Sequence, residues 1–248
     1  MLDFSLADYI VGFGLFLGAI LYTSVGHAGA SAYIAIMSLF GLSAATIKPT
    51  ALSLNILVSS YTSLQYIRAK LYDIKLAIPL LIGAIPCAFI GGRMNLPSEI
   101  YKPIVGVILL YSAYRFISIK AHTEQAPKTY NKLLAVLVGG LIGLLSGLTG
   151  TGGGIFLSPL VLFAGWTTVK VASGTASIFI FFNSIFGLLG NLSSIAHLPA
   201  TLPLYIIFVL LGAFIGTRFG IHYFAHLGVK RALGVVLLIA GLKLTFNL

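Results

Sequence analysis

Ala88-Phe89-Ile90-Gly91-Gly92-Arg93 is written again as Ala213-Phe214-Ile215-Gly216-Thr217-Arg218. Five of the six positions are identical, and the offset, 213 − 88 = 125, is close to half of a 248-residue chain. The same register relates Gly26-His27-Ala28-Gly29 to Gly150-Thr151-Gly152-Gly153 at an offset of 124, and Thr50-Ala51 to Thr175-Ala176 at 125. It also relates Gly106-Val107-Ile108-Leu109-Leu110 to Gly234-Val235-Val236-Leu237-Leu238 at 128, a drift that loop insertions produce. Two homologous halves in an apolar chain predict a transporter built from structural repeats, with its binding site where the halves meet.

Working outward from the repeat, the chain is 58% hydrophobic and 8% charged, with mean hydropathy +1.05. Soluble domains carry about 25% charged residues, so most of this surface does not face water. The runs are too long and too many for one buried core, and too continuous for a β-barrel's alternation. The fold class predicted is an all-α polytopic membrane protein. The N-terminus has Asp3 and Asp8 and no basic residue before Lys48, unlike a cleaved signal peptide, so the first run is expected to be retained as a span. The net charge of +10 is read as loop residues that contact anionic lipid and set topology, not as a nucleic-acid surface. Cys87, the single cysteine, has no partner for an internal disulfide and is read as a packing residue.

Each half reads as about five apolar segments: 8–25, 29–41, 50–67, 76–92 and 103–119, then 133–149, 153–165, 172–190, 201–217 and 231–247. The domains predicted are an N-terminal membrane repeat over residues 1–119, a cytoplasmic linker over 120–132 and a C-terminal membrane repeat over 133–248. Segments 29–41 and 153–165 fall short of the roughly 20 residues that cross a bilayer. Each either completes a short tilted span or forms a re-entrant hairpin, and both are helix breaks at a glycine-rich turn. Arg68, Lys70 and Lys75, then Lys120, Lys128 and Lys132, then Lys230 and Arg231 crowd three connections, whereas residues 191–200 carry no charge. Placing the basic loops in the cytoplasm puts the 191–200 loop and both termini outside. The 68–75 loop and its repeat partner 191–200 then lie on opposite sides, which makes the repeats inverted in topology. Arg93 and Arg218 cannot both mark the cytoplasmic side, so a shared role at a helix C-terminus is expected of them.

The candidate substrate-binding residues sit in the two glycine turns and the polar segments after them. Gly26, His27, Gly29 and Ser31 belong to the first turn, and Gly150, Thr151, Gly152 and Gly153 to the second. Glycine permits backbone conformations closed to other residues and leaves amides uncovered, and a helix opening after such a turn presents free N–H groups and a favourable dipole to an anion. Close helix packing by small residues is the competing explanation of the glycines. Thr50 with Asn55, and Thr175 with Asn183, offer neutral donors to an oxyanion, although a membrane threonine often bonds back to its own helix. His27 is an ionisable group inside an apolar run and is the candidate for proton coupling. His122, His197, His222 and His226 are expected to be interfacial. The five acidic residues all lie at segment ends or in loops. No cluster has metal-ligand spacing and no phosphate-binding loop is present, so no metal and no cofactor is expected. A carboxylate-free, glycine-lined interior points to an anion as cargo.

The run from Gly150 to Pro159 (GTGGGIFLSP), the segment Ser173 to Ser177 and the run Gly212 to Arg218 together resemble the TauE/SafE sulfite-exporter family. Both halves carry a version of each element, so the resemblance covers essentially the whole chain. The first turn departs from the pattern, with His27, Ala28 and Ala30 among its glycines and no match to Pro159. The resemblance implies a secondary transporter in the cytoplasmic (inner) membrane that exports sulfite or a related sulfur-containing anion such as thiosulfate or an organosulfonate. Its partners would be that anion and membrane lipids. A channel for a small anion or neutral solute is the alternative. A membrane enzyme or assembly factor handling a sulfur intermediate is a third reading, disfavoured because the interior offers no acid, metal cluster or activated nucleophile.

Overall fold

Short polar side chains open the helices where the apolar runs begin. Ser5 accepts the Asp8 amide while the Asp8 carboxylate accepts the Ser5 amide, a reciprocal cap. Ser43, Asp73 and Asn131 cap the amides of Thr46, Leu76 and Leu133 with the side-chain oxygen alone. The computed structural model describes residues 4–94, 96–118, 128–222 and 227–246. These form α1 (Leu6–Thr23), α2 (Ala30–Leu39), α3 (Ala44–Arg68), α4 (Ile74–Arg93) and α5 (Ser98–Ile117), then α6 (Lys132–Thr149), α7 (Gly154–Phe163), α8 (Val169–Leu189), α9 (Leu202–His222) and α10 (Leu227–Phe246). The described residues contain no strand. All ten expected segments are helices.

Three boundaries differ from expectation for physical reasons. The third helix does not begin at residue 50: Ser43 caps it earlier, and Pro49 is taken up inside. The helix α9 continues to His222, so Arg218 does not close its end; its guanidinium lies 4.6 Å from the Phe214 ring centroid instead. Lys230 and Arg231 lie within α10 rather than in a connection. The 191–200 loop contains a 3₁₀ turn over Leu192–His197. Of the expected linker 120–132, residues before Lys128 lie outside the described residues, as do His122 and His226.

Among the described residues five helices, α1, α4, α6, α8 and α9, are long and apolar enough to cross a membrane. Their outer faces show what solvent they meet. On α6, Leu133, Leu137 and Leu141 are 67%, 59% and 67% exposed, a leucine stripe that would be costly in water and is at home in hydrocarbon. The opposite face of α6 carries Gly139, Gly143 and Gly147, and a Cβ on any of them would strike the carbonyls of Leu80, Ala84 and Ala88 on α4. On α9, Gly212, Gly216 and Gly220 meet the carbonyls of Phe16, Ile20 and Ser24 at the end of α1 in the same way. Lipid tails offer no hydrophobic drive between helices, so close backbone approach at small residues is what holds them.

The packing partners exchange when the halves are exchanged: α4 packs on α6 and α9 on α1, α4 on α8 and α9 on α3, α2 on α3 and α7 on α8. The duplicated phrase is the interlock. Gly91 packs on the Leu144 carbonyl and Gly216 on that of Ile20, while Gly92 meets Gly187 and Thr217 bonds Thr62 through paired hydroxyls at 3.2 Å. The equivalent helices α3 and α8 cross with Asn55 at Ser184 and Leu52 at Gly187, so their chain directions oppose. In α5 and α10, Gly106 meets Thr245 and Leu110 meets Gly241, which again is antiparallel.

Candidate functional site

Both glycine turns end in left-handed backbone. Gly29 (φ +109°) stands immediately before α2, and Gly153 (φ +81°) before α7. Neither has a side chain to cap the helix it opens. Each helix has ten residues, a rise of about 15 Å, or half of a hydrocarbon core of about 30 Å. They therefore begin at depth within the protein, with every residue from Gly26 to Ser31 and from Gly150 to Ile155 buried.

Each turn nests against the third helix of the other half. Gly26 packs on Ser173 of α8, and Gly150 packs on Lys48 of α3, with a Cβ built there 3.2 Å from the Lys48 side chain. Lys48 and Ser173 are themselves related by the repeat offset of 125. The turns also meet each other. His27 Nε2 lies 2.7 Å from Ser158 Oγ on α7, and a Cβ on Gly154 would sit 3.3 Å from the His27 ring. Asn55 bridges the two: its Oδ1 accepts the Ala30 amide that opens α2 (3.1 Å), and its Nδ2 donates to Ser184 Oγ on α8 (3.4 Å). Any side chain on Gly152 would strike that same Asn55 amide.

The two helix openings are chemically unequal. The first amide of α2 is satisfied by Asn55. At α7 the equivalent neighbour is Asn183, fully buried, with its Nδ2 3.2 Å from where a Cβ on Gly153 would lie. Neither Asn183 Nδ2 nor Oδ1 has a hydrogen-bond partner. A buried amide left unsatisfied costs roughly 1–3 kcal/mol, and native interiors rarely carry one without cause.

The remaining expected residues are placed as follows. Ser31 is buried beside the Tyr22 hydroxyl. Thr151 pairs its hydroxyl with that of Thr149 at 3.0 Å. Thr50 donates to the carbonyl of Thr46 in its own helix (2.6 Å), as a lone membrane threonine commonly does. Thr175 accepts the Asp73 amide at 3.0 Å, which ties it to the start of α4 rather than to the turns. Sequence reasoning did not select Ser158 and Ser184. Ser158 stands one turn after Gly154 and directly before Pro159, and Ser184 follows Asn183, so both were within reach of a helical-face argument. Cys87 packs toward α6, its sulfur 3.4 Å from where a Cβ on Gly140 would lie. Among the described residues no group of three or more His, Cys, Asp or Glu could hold a metal ion.

No solved structure matches the chain. A probable membrane transporter protein, y4hK, of Sinorhizobium fredii (strain NBRC 101917 / NGR234) is 37% identical over 233 residues, covering 92% of this chain and 94% of that protein. The model of the sulfite exporter TauE/SafE family matches residues 10–244. The glycine turn, the small-residue segment and the duplicated arginine phrase all fall inside that match, and the chain belongs to the sulfite exporter TauE/SafE family, a family of integral membrane transporters.

Proposed function

We propose that the chain exports sulfite or a related small sulfur-containing anion across the cytoplasmic membrane, by alternating access between two inverted repeats. The observation that carries this reading is the opening of α7, where an uncapped helix begins beside the partnerless Asn183 amide. An oxyanion seated there would accept from the first amides of α7 and from Asn183 Nδ2, without adding a buried cation. Asn55 offers a picture of the bound state, since its carbonyl oxygen fills the matching position at α2.

Inversion is supported by the antiparallel crossing of the equivalent pairs α3/α8 and α5/α10 and by the exchange of packing partners. In this reading α2 and α7 are re-entrant half-helices, each followed by a full-length helix that returns the chain. The 191–200 segment and both termini face outside, and the basic 68–75 connection faces the cytoplasm. The buried turns suit an occluded carrier better than an open channel. A membrane potential negative inside favours anion exit by ~2.3 kcal/mol per charge per 100 mV, so export needs little further coupling.

Proteoliposome flux with sulfite, thiosulfate and methanesulfonate tests the proposal. Saturable flux of at least one, accelerated by substrate on the opposite side, is expected. Absence of saturable flux for all three in a folded, inserted protein overturns it. His27 is the proposed proton-coupling residue: His27→Ala is expected to flatten the pH dependence of flux near neutrality, and an unaltered profile removes that role.

A further inference from the structure

Beside the second glycine turn lies a cavity of about 310 Å³, bounded by the start of α3, the segment joining α4 to α5, the end of α6 and the 3₁₀ turn at Leu192–His197. It is separate from the contact between the turns, and none of the candidate residues selected from the sequence lines it. Its polar lining is Lys48, Tyr101, Asn191, Ser193, Ser194 and His197, and no carboxylate is among its lining residues.

Lys48 is the unusual member. It is only 8% exposed, and lysine is rarely buried without a partner of opposite charge. Its Nζ donates to the carbonyls of Gly92 (3.1 Å) and Met94 (3.3 Å) at the end of α4. An ammonium carries three donors, so one remains beyond the two given to those carbonyls. The two carbonyls supply partial charge only, leaving the ammonium short of a full counter-charge. Its stem packs on Gly150, and Tyr101 Oη holds the Thr149 carbonyl (3.0 Å) just before that turn. The cavity and the second glycine turn therefore share a wall, and the shared wall carries the cation. The repeat-equivalent position, packed on the first glycine turn, is the uncharged Ser173.

We infer that this cavity is an anion-binding vestibule leading to the α7 opening, with Lys48 as the cation that recognises a small oxyanion. The cation stands in one half only, so the vestibule gives the two faces of an otherwise repeated molecule different affinities for an anion. With the 191–200 segment outside, the vestibule is the exit side. The inference rests on the anion-carrier reading for its place on the route, but its binding chemistry can be measured without transport.

The test uses the full chain with Cys87→Ser and Ser193→Cys in phosphatidylcholine nanodiscs, labelled by a sulfonate-bearing and by a trimethylammonium-bearing methanethiosulfonate. The anionic reagent is expected to react faster by about tenfold, as a cavity focused by one cation allows. Methanesulfonate or sulfate should slow labelling by both reagents. Lys48→Met should abolish both the preference and the protection, and Lys48→Arg should keep them. Equal rates for parent and Lys48→Met, or no protection by either anion, overturns the inference. So does protection by phosphatidylglycerol in the nanodisc with none by methanesulfonate, which assigns the cavity to a lipid headgroup. Should Lys48→Met fail to insert, Ser194→Asp places a carboxylate in the same cavity and is expected to reverse the reagent preference; an unchanged preference overturns the inference equally. Protection without any flux in proteoliposomes would sink the carrier reading while leaving the binding site standing.

Discussion

Asn55 and Asn183 are the same residue type in two different situations, and the contrast makes a test. Asn55 satisfies an amide and a hydroxyl, so Asn55→Leu leaves the Ala30 N–H buried and unmet, with an expected loss of roughly 1–3 kcal/mol. Asn183 satisfies nothing among protein groups. Asn183→Leu is therefore expected to leave thermal stability in detergent unchanged or raise it by about 1 kcal/mol, while lowering anion flux at least tenfold. A destabilised Asn183→Leu with normal flux would show that the amide serves packing instead. The sequence made both asparagines visible as polar residues on apolar helices. It did not separate their roles, because a hydrogen-bond partner 129 residues away is a matter of three-dimensional placement. Thr50 and Thr175 show the same limit: their repeat register was legible, but one hydroxyl bonds within its own helix and the other holds the start of α4.

At the scale of elements, the glycines divide into two kinds that composition alone does not distinguish. Those of α6 and α9 lie within regular helices, spaced four residues apart, and admit a neighbouring backbone. Those at 150, 152 and 153 have positive φ and shape a turn. Substitutions should sort accordingly. Gly143→Leu drives a side chain into the Ala84 carbonyl of α4, and the yield of folded, monodisperse protein is expected to collapse. Gly152→Ala combines a left-handed backbone (φ +75°) with a Cβ against Asn55. It is expected to cost about 1–2 kcal/mol and to abolish flux while the helices still insert, as judged by circular dichroism and labelling. Full flux from Gly152→Ala would mean that the turn can be rebuilt without the site. The existence and type of all ten helices was readable from hydrophobic runs, whereas the Ser43 cap starts the third helix ahead of the expected residue 50.

For the whole molecule, the repeated phrase was legible because its residues recur at a constant offset, and the structure shows what the phrase contacts in each half. Ala88 to Arg93 and Ala213 to Arg218 are where the fourth helix of each half meets the first and third helices of the other. Those contacts leave no room for a side chain at Gly91, Gly92 or Gly216, whereas Phe89, Ile90, Phe214 and Ile215 face outward. The orientation of the halves in the bilayer makes a direct prediction. With Cys87→Ser as background, Ser193→Cys is expected to react with a membrane-impermeant maleimide in intact cells, and Lys70→Cys only after permeabilisation. Labelling of both from one side would exclude the inverted arrangement.

The account stands on the α7 opening as the seat of an oxyanion. Selenite, a heavier analogue of sulfite, provides an anomalous signal at the selenium edge in crystals grown with it. The predicted result is a peak within hydrogen-bonding reach of the Gly154 and Ile155 amides and of Asn183 Nδ2, lost in Asn183→Leu. A map with no peak there, or with selenite only at the Lys48 cavity or on the protein surface, would contradict it.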